Sequence, residues 1–303
     1  SDALDRIVII SDMEFDCLTN ARISTFEYFE NEYLYFDKMS TYLEVVVKQR
    51  GSDLHISAGL PPVVRIDGNL QRMQHDPLTP EQVELLLFPM LNKEQRRKLE
   101  QDWELDFSYG VQGLSRFRVN IYKDRGNYAA AFRVIASKVP SFKELGLSET
   151  VRKIAEKPRG LVLVTGPTGS GKSTTLATMV DYINQNRACH ILTIEDPIEY
   201  VYKPKLATIH QREIGPDVPD FNTALRSGLR ENPDVILVGE MRDFETISLA
   251  LRAAETGHLV LSTLHTIGAA STIDRIIDVF PQGQQQQVRV MLSNSLAAVF
   301  SQT

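Results

Sequence analysis

Gly166-Pro167-Thr168-Gly169-Ser170-Gly171-Lys172-Ser173-Thr174 fits the phosphate-loop pattern G-x-x-x-x-G-K-[ST], and the apolar run 161–164 precedes it. The pattern needs a strand before the loop and a helix after it, so these residues predict an α/β unit. In such a loop, backbone N–H groups surround a β-phosphate, Lys172 reaches the β/γ oxygens and the Ser173 hydroxyl ligates Mg²⁺. We therefore expect a nucleoside triphosphate with Mg²⁺; the alternative is a glycine-rich turn without a ligand.

Composition allows a globular protein of about two domains. The chain has 303 residues, of which 43% are apolar, and this content can supply each domain with a core. No apolar run approaches the ~20 residues that cross a bilayer, and no basic-then-apolar signal pattern begins the sequence, so we predict an intracellular protein. Cys17 and Cys189 form no C-x-x-C unit, which argues against a thiolate zinc site.

The net charge of −6 is concentrated at the N-terminus, because residues 1–39 contain nine acidic and three basic residues. The remainder holds 30 residues of each sign. A protein that binds the phosphate backbone of a nucleic acid needs an excess of positive charge to release counterions. We therefore expect no nucleic-acid partner.

The chain divides into three segments by pattern. Residues 1–39 join acidic residues to seven aromatic ones without any helical or strand period, and we predict no fold for this extension. Residues 40–138 are strand-rich and predict a small α+β domain. Its strands are predicted over 63–66, 116–122 and 127–135. Thr79, Pro80 and Gln82 predict a helix that begins with a capping box.

Residues 139–303 alternate between apolar strands and helical stretches. The predicted strands are 161–164, 190–194, 235–238 and 259–262, and the predicted helices begin near Lys172, Phe221, Asp243 and Ala269. This alternation is typical of an α/β domain whose parallel sheet is covered by helices on both faces.

Acidic residues follow two of these strands, in segments 195–199 and 239–243. In open parallel sheets, ligands bind beyond the carboxyl ends of the strands. Hydrolysis of a γ-phosphate needs one group that holds Mg²⁺, usually through water, and one that orients or deprotonates the attacking water. Glu240 and Glu199 can divide these roles. Alternatively, such acids only cap the next helix, which is the role that we expect for Asp243.

Two histidines flank the predicted strand 259–262. If the strand is extended, His258 and His265 lie ~20 Å apart and cannot hold one metal together. His265 follows the carboxyl end of the strand, where a γ-phosphate sensor would lie, and His258 lies at the opposite end. Considered singly, ordinary packing or a surface position is the simpler explanation for each histidine.

Two arginines are predicted to face each other in the first domain. If Arg125-Gly126 forms a two-residue hairpin loop, the register sets Arg118 opposite Arg133. Like charges in this position are destabilising unless an anion lies between them, and a triphosphate would be such an anion. The alternative is two arginines that extend separately into solvent.

Several motifs stand in one order along residues 40–303. They are Gly-Ser-Asp-Leu-His at 51–55, the phosphate loop, Thr-Ile-Glu-Asp-Pro-Ile-Glu at 193–199, Gly-Glu-Met-Arg-Asp at 239–243, Thr-Gly-His at 256–258 and Leu-His-Thr at 264–266. From 193 onwards they resemble the aspartate box, the Walker B motif and the histidine box of secretion-type ATPases. The whole set most closely resembles the PilT family of type IV pilus retraction ATPases.

The resemblance implies an architecture and a cellular role. The architecture is a PAS-like domain joined to a RecA-like P-loop motor domain, in a homohexameric ring with ATP at the subunit interfaces. The role is that of a cytoplasmic ATPase, peripheral to the inner membrane at the pilus base. Hydrolysis would drive an inner-membrane platform protein so that pilin subunits leave the fibre.

The resemblance also implies roles for individual residues. It identifies Glu199 with the catalytic glutamate and Glu240 with the Walker B acid near Mg²⁺. His258 and His265 correspond to the histidine-box residues. Arg118 and Arg133 correspond to arginine fingers that reach the nucleotide, and we add the hypothesis that they act on a neighbouring subunit's nucleotide.

Two features depart from the family pattern. Residues 1–39 precede the point at which the family's first domain usually begins. The family also continues beyond Gln302-Thr303 into further helices, including a segment resembling Ala-Ile-Arg-Asn-Leu-Ile-Arg that has been linked to retraction. We therefore expect that a chain without this segment could bind and hydrolyse ATP and yet fail to drive retraction.

Other functions share part of this pattern. A paralogous retraction motor would share every motif. An assembly motor for pili or type II secretion would usually carry paired C-x-x-C units and a longer N-terminal region, and this sequence has neither. An ATP-gated docking protein would bind nucleotide without turnover. A small-molecule kinase would leave the histidine box and the first domain unexplained.

Overall fold

The computed structural model describes residues 38–136 and 138–303, which form two six-stranded sheets. The predicted N-terminal extension therefore lies outside the described residues, apart from Lys38 and Met39. These two residues belong to helix α1, which covers the described residues 38–48 and packs against the first sheet through Met39 and Leu43.

The first sheet is antiparallel throughout, with strand order β3-β2-β1-β6-β5-β4. Its strands are β1 (Asp53–Ser57), β2 (Val63–Ile66), β3 (Asn69–Arg72), β4 (Glu104–Val111), β5 (Ser115–Asp124) and β6 (Asn127–Ile135). Helix α2 (Pro80–Leu87), a 3₁₀ turn (Phe88–Met90) and helix α3 (Lys93–Asp102) lie between β3 and β4.

The start of α2 follows the predicted capping box. The Gln82 backbone N–H donates to the Thr79 hydroxyl at 3.3 Å, and the Thr79 N–H donates to the Gln82 side-chain oxygen at 2.9 Å. These reciprocal bonds satisfy two backbone groups that have no partner within the helix. The helix then buries Val83, Leu86 and Leu87 against the sheet.

The β5–β6 hairpin has the predicted register. Phe117 pairs with Val134 and Val119 with Phe132, so the intervening Arg118 lies opposite Arg133. Phe117 and Val119 are fully buried. Because side chains alternate across a strand, burial of these residues turns both arginines to the other face of the sheet.

The second sheet is parallel throughout, with strand order β12-β7-β11-β10-β8-β9. Its strands are β7 (Gly160–Thr165), β8 (His190–Glu195), β9 (Thr208–Glu213), β10 (Val235–Val238), β11 (Leu259–Leu264) and β12 (Leu296–Ser301). The helices are α4 (Glu149–Ala155), α5 (Lys172–Asn186), α6 (Phe221–Gly228), α7 (Phe244–Glu255), α8 (Ala269–Asp278) and α9 (Gln285–Ser295), with 3₁₀ turns at Leu229–Glu231 and Gln282–Gln284.

Helices cover both faces of this parallel sheet. In β7, Leu161 and Leu163 belong to a core shared with α7 and α9, whereas Val162 and Val164 belong to a core shared with α4 and α5. The α/β class with a covered parallel sheet is therefore confirmed. The sequence analysis did not predict the two edge strands, β9 and β12. None of the helices in the described ranges has both the length and the apolar character needed to cross a bilayer.

Candidate nucleotide-binding site

The phosphate loop connects β7 to α5, as the motif requires. Gly166 has φ +146°, and a Cβ atom there would lie 2.7 Å from the Ser170 hydroxyl oxygen. Gly171, the N-cap of α5, has φ +86°. L-residues with a side chain rarely adopt these backbone angles, so glycine is needed for the loop to close in front of the helix N-terminus.

Lys172 is held at the mouth of the loop. Its ammonium nitrogen donates to the Gly166 carbonyl at 2.9 Å and to the Pro167 carbonyl at 2.8 Å. Desolvation lowers the pKa of Lys172, and the negative charges of Glu199 and Glu240 oppose this effect. A phosphate group could replace the two carbonyl oxygens as the partner of this cation.

A cavity of about 340 Å³ lies at the carboxyl ends of the parallel strands, beside the loop. Its lining includes Lys172, Ser173, Glu195, Asp196, Glu199, Tyr200, Tyr202, Glu240, Thr263 and His265. Parallel strands place their carboxyl ends at one edge of a sheet, which is why residues distant in sequence meet here. The structure therefore brings three predicted site residues, Glu199, Glu240 and His265, together with the phosphate loop.

Glu240 lies among polar groups in this cavity. One carboxylate oxygen is 2.7 Å from Nε of Arg242, and the other is 3.8 Å from Nε2 of His265. The neighbouring Asp243 caps α7, where it accepts the Thr246 N–H at 2.8 Å. Asp243 thus caps the helix, as predicted, whereas Glu240 lines the cavity.

Glu195 is a buried carboxyl group for which the sequence analysis predicted no role. Its side chain accepts the Glu199 backbone N–H at 3.3 Å and the Gln211 side-chain amide at 3.4 Å. Burial raises the pKa of Glu195 to about 7, although these hydrogen bonds partly counter the effect. The loop that carries Glu199 is therefore anchored to an acid that can be neutral near physiological pH.

Tyr200 is a second residue that the sequence analysis missed. Its hydroxyl lies 3.1 Å from the Thr174 hydroxyl, and its carbonyl accepts the Gln211 side-chain amide at 2.8 Å. It thereby joins the last residue of the phosphate loop to the segment that follows Glu199. Its position directly after Glu199 is the only signal in the sequence that could have indicated this role.

His258 is not among the residues that line the cavity. It precedes β11, where its Nδ1 lies 2.9 Å from the Ala253 carbonyl, and its own carbonyl accepts the Gly160 N–H at 3.0 Å. These contacts join the end of α7 to the start of β7. The structure thus separates His258 from His265, in agreement with the strand-length argument.

Arg118 and Arg133 each lie near an acid of the first sheet. Nε of Arg133 donates to Asp53 at 2.8 Å, and Nε of Arg118 lies 4.0 Å from Asp106. Burial disfavours the charged form of Asp53, but hydrogen bonds from Ser52 and Arg133 outweigh it and lower the pKa of this acid. Each of the two opposed arginines therefore has a carboxylate of the first sheet nearby.

Arg118 also lines a cleft of about 450 Å³ between the two sheets. Asp196 and Pro197 of the same chain line this cleft as well as the cavity beside the phosphate loop. Arg118 thus lies next to its own chain's candidate site, from which one short loop separates it.

The residues around the loop fit a nucleotide with Mg²⁺. The Ser170 hydroxyl is buried in the loop without a hydrogen-bond partner, so it is free to bond a ligand there. Mg²⁺ prefers oxygen ligands and is usually held by one or two protein groups together with phosphate and water. Ser173 and Glu240 offer such oxygens. No cluster of three or more His, Cys, Asp or Glu side chains that could hold a metal ion occurs in residues 38–136 and 138–303.

Comparisons with known proteins give a family for this chain. The family model described as "Type II/IV secretion system protein" matches residues 35–303. The type IV pilus retraction ATPase PilT of Pseudomonas aeruginosa is 56% identical over 256 residues, which are 84% of this chain and 74% of that protein. A twitching motility protein of Neisseria gonorrhoeae is 54% identical over 241 residues, which are 80% of this chain and 64% of that protein.

A solved structure agrees with these relatives. The crystal structure of the pilus retraction motor PilT with bound ADP has a TM-score of 0.80 and 52% sequence identity to this chain. The match covers 85% of this chain and 76% of that one. Since the family model covers most of the sequence and the relatives share more than half of the aligned residues, this chain belongs to the type II/IV secretion system protein family.

Proposed function

We propose that this protein is an ATPase that works as a hexameric ring and drives type IV pilus retraction. The observation that carries the proposal is the cavity in which the phosphate loop, Glu199, Glu240 and His265 meet. These groups supply a phosphate cradle, two acids and a polar side chain at the position of a γ-phosphate, which is the set that nucleotide hydrolysis requires.

The phosphate loop, Glu199 and His265 have separate tasks in this proposal. The loop N–H groups and Lys172 bind the β- and γ-phosphate oxygens of ATP. Glu199 orients the attacking water and accepts its proton. His265 lies beside Glu240 and contacts the γ-phosphate, so it senses whether the phosphate is present.

Mg²⁺ would be held by the Ser173 hydroxyl and, through water, by the Glu240 carboxylate. When bound, the ion neutralises charge on the phosphate oxygens. One Glu240 oxygen lies 2.7 Å from the Arg242 guanidinium, so the other oxygen would accept the water that binds the ion. Arg242 is largely exposed, so solvent can replace this contact at little cost.

The retraction role rests on the relatives, whose names include a retraction ATPase and a twitching motility protein. By the same analogy, we propose that the ring is cytoplasmic, lies against the inner membrane at the pilus base and acts on an inner-membrane platform protein. Within the proposed ring, the place of Arg118 in its own chain's cleft favours action on that chain's nucleotide over action on a neighbour's.

The main alternative is an ATP-gated docking protein that binds nucleotide without turnover. It would need the phosphate loop but neither Glu199 nor Glu240 in the cavity, so the presence of both acids favours hydrolysis. A paralogous retraction motor would share the motifs of this site.

Phosphate release by the purified 303-residue chain tests the proposal. We expect steady turnover with Mg²⁺ and ATP, and loss of turnover when the metal is chelated. Lys172→Ala should abolish turnover and weaken binding of fluorescently labelled ADP, whereas Lys205→Ala, which alters a lysine outside the cavity, should do neither. Nucleotide binding by the parent without phosphate release would instead support the docking protein.

A further inference from the structure

One buried acid joins the two sheets close to the candidate site. Glu213, at the end of β9, is 3% exposed, and its Oε2 accepts a hydrogen bond from Nη2 of Arg116 at 3.1 Å. Arg116 lies on β5 of the first sheet, 97 residues away along the chain. The same Oε2 atom accepts the backbone N–H of Ile198 at 3.2 Å. A single carboxylate oxygen therefore holds both a side chain of the first sheet and the loop of the second sheet.

This loop is the one that carries Glu199. Two consecutive backbone amides are each bonded to a buried carboxyl group: Ile198 to Glu213 and Glu199 to Glu195. Glu195 lies in the second sheet and has no contact with the first among its hydrogen bonds. Among the described residues, Glu213 is thus the anchor whose hydrogen bonds reach a side chain of the first sheet.

Arg116 also shares its strand with the predicted arginine finger. Residues two apart in a strand lie on one face of the sheet, so Arg116 and Arg118 share a face. Arg118 and Glu213 line that cleft together with Asp196 and Pro197. A displacement of β5 would move both arginines at once.

We propose that Glu213 and Arg116 are positioning residues that couple the placement of the first sheet to the orientation of Glu199. This inference rests on the proposed function, because it concerns the acid that orients water for ATP hydrolysis. When the first sheet closes on the second, the guanidinium fixes the Glu213 carboxylate, which in turn fixes the Ile198 amide. When the first sheet moves away, Glu213 loses its cation and the anchor of the loop loosens.

The physical basis is the cost of a buried, unpaired charge. Glu213 is almost completely buried, so a carboxylate without its cation is strongly unfavourable and must rearrange or admit water. Either response changes the partner of the Ile198 amide. Because displacements of about 1 Å at a catalytic group can reduce rates by about a hundredfold, a small shift of this loop is enough to affect turnover.

The test combines kinetics with hydrogen–deuterium exchange on the full chain. Arg116→Gln removes the cation, Glu213→Gln keeps an acceptor for the Ile198 amide but removes the charge, and the double variant removes both. Lys205→Gln is the matched control, since it breaks a 2.8 Å ion pair with Asp181 that lies wholly within the second domain. Arg116→Lys retains the charge and should restore part of the activity.

We expect Arg116→Gln to lower kcat by about tenfold or more, while KM for ATP and the affinity for labelled ADP stay within about twofold. Amide exchange in the peptide that contains Ile198 and Glu199 should become faster in Arg116→Gln but not in Lys205→Gln. Since the two residues act through one contact, the double variant should be no slower than the slower single variant.

Three results would overturn the inference. They are unchanged exchange at Ile198 and Glu199 in Arg116→Gln, an unchanged kcat in that variant, and losses of kcat that multiply in the double variant. Turnover by the parent chain reports on the proposed function alone, and the exchange measurement needs no turnover, so the two failures can be told apart. If Arg116→Gln does not fold, kcat and amide exchange at Ile198 and Glu199 are compared in Arg116→Lys and Glu213→Asp instead.

Discussion

The side chain of Glu195 accepts the backbone N–H of Glu199 across 3.3 Å, so an acid of β8 anchors the proposed catalytic acid four residues later. Glu195 is buried, and its pKa of about 7 lies well above its ordinary value of 4.5. Ionisation of Glu195 therefore costs about 3 kcal/mol more in the folded protein than in the unfolded chain.

This cost makes stability depend on pH. Between about pH 4.5 and 7 the unfolded chain has already lost the Glu195 proton while the folded chain retains it, so this residue lowers the free energy of unfolding as pH rises. The loss is complete above pH 7. We expect the free energy of unfolding of Glu195→Gln to equal that of the parent near pH 4. At pH 8 the variant should be more stable than the parent by about 2 to 3 kcal/mol.

Urea unfolding of both proteins at the two pH values measures this difference. Glu245→Gln is the control, because Glu245 is an exposed acid that lies 3.9 Å from Arg226. This variant should show no such pH-dependent gain in the free energy of unfolding. Equal stabilities of Glu195→Gln and the parent at pH 8 would contradict the assigned protonation of Glu195.

The two histidines should respond differently to substitution. His265 lines the cavity beside Glu240, so His265→Ala should lower kcat by about tenfold or more through loss of a polar contact to the γ-phosphate. His258→Ala should have a smaller effect on kcat and should lower stability by about 1 kcal/mol through loss of its bond to the Ala253 carbonyl. Phosphate release and urea unfolding of each variant check this. A larger kinetic effect at His258 would overturn the assignment.

Mixed rings decide on which nucleotide Arg118 acts. An Arg118→Ala subunit retains its phosphate loop, and a Lys172→Ala subunit retains its arginine. Because Arg118 lies in a cleft with Asp196 of its own chain, we expect mixtures of the two variants to remain inactive. The hypothesis drawn from the sequence, action across subunits, predicts recovered phosphate release instead. Native mass spectrometry must show that the rings are mixed.

The capping box of α2 should contribute measurably to stability. Thr79→Ala removes the acceptor of the Gln82 N–H and should lower the free energy of unfolding by about 1 kcal/mol. Ser148 is the matched control, because it is the N-cap of α4 but its side chain makes no capping hydrogen bond. Ser148→Ala should therefore change stability much less. If urea unfolding shows equal losses of unfolding free energy in Thr79→Ala and Ser148→Ala, the Thr79 hydrogen bond is not the cause of the destabilisation.

Much of the fold follows from local pattern. The phosphate loop, the fully buried strands β7 and β10, and the Thr79 cap each depend on residues close in sequence, and all were predicted. The β5–β6 register was also predictable, because a two-residue loop at Arg125-Gly126 leaves one pairing. The edge strand β9 escaped prediction because its polar sequence Thr-Ile-His-Gln-Arg-Glu carries no strand period strong enough to detect.

The candidate site was predictable where strand ends supply the residues. Glu199, Glu240 and His265 each follow a strand of one parallel sheet, and topology alone brings them together. The roles of Glu195 and Glu213 depend instead on burial and on partners far away in sequence, such as Arg116. A sequence does not display such pairs, because nothing local distinguishes a buried glutamate that anchors a loop from one that caps a helix.

ATP hydrolysis by this site is tested most sharply by steady-state phosphate release of the parent chain beside Glu199→Gln, with the mass of the assembly followed on the same samples. The substitution keeps the size and the hydrogen-bonding capacity of the side chain and removes its ability to accept a proton. We expect turnover by a hexameric parent, and loss of turnover in Glu199→Gln with the ring and ADP binding intact. Equal turnover by both proteins would contradict this expectation.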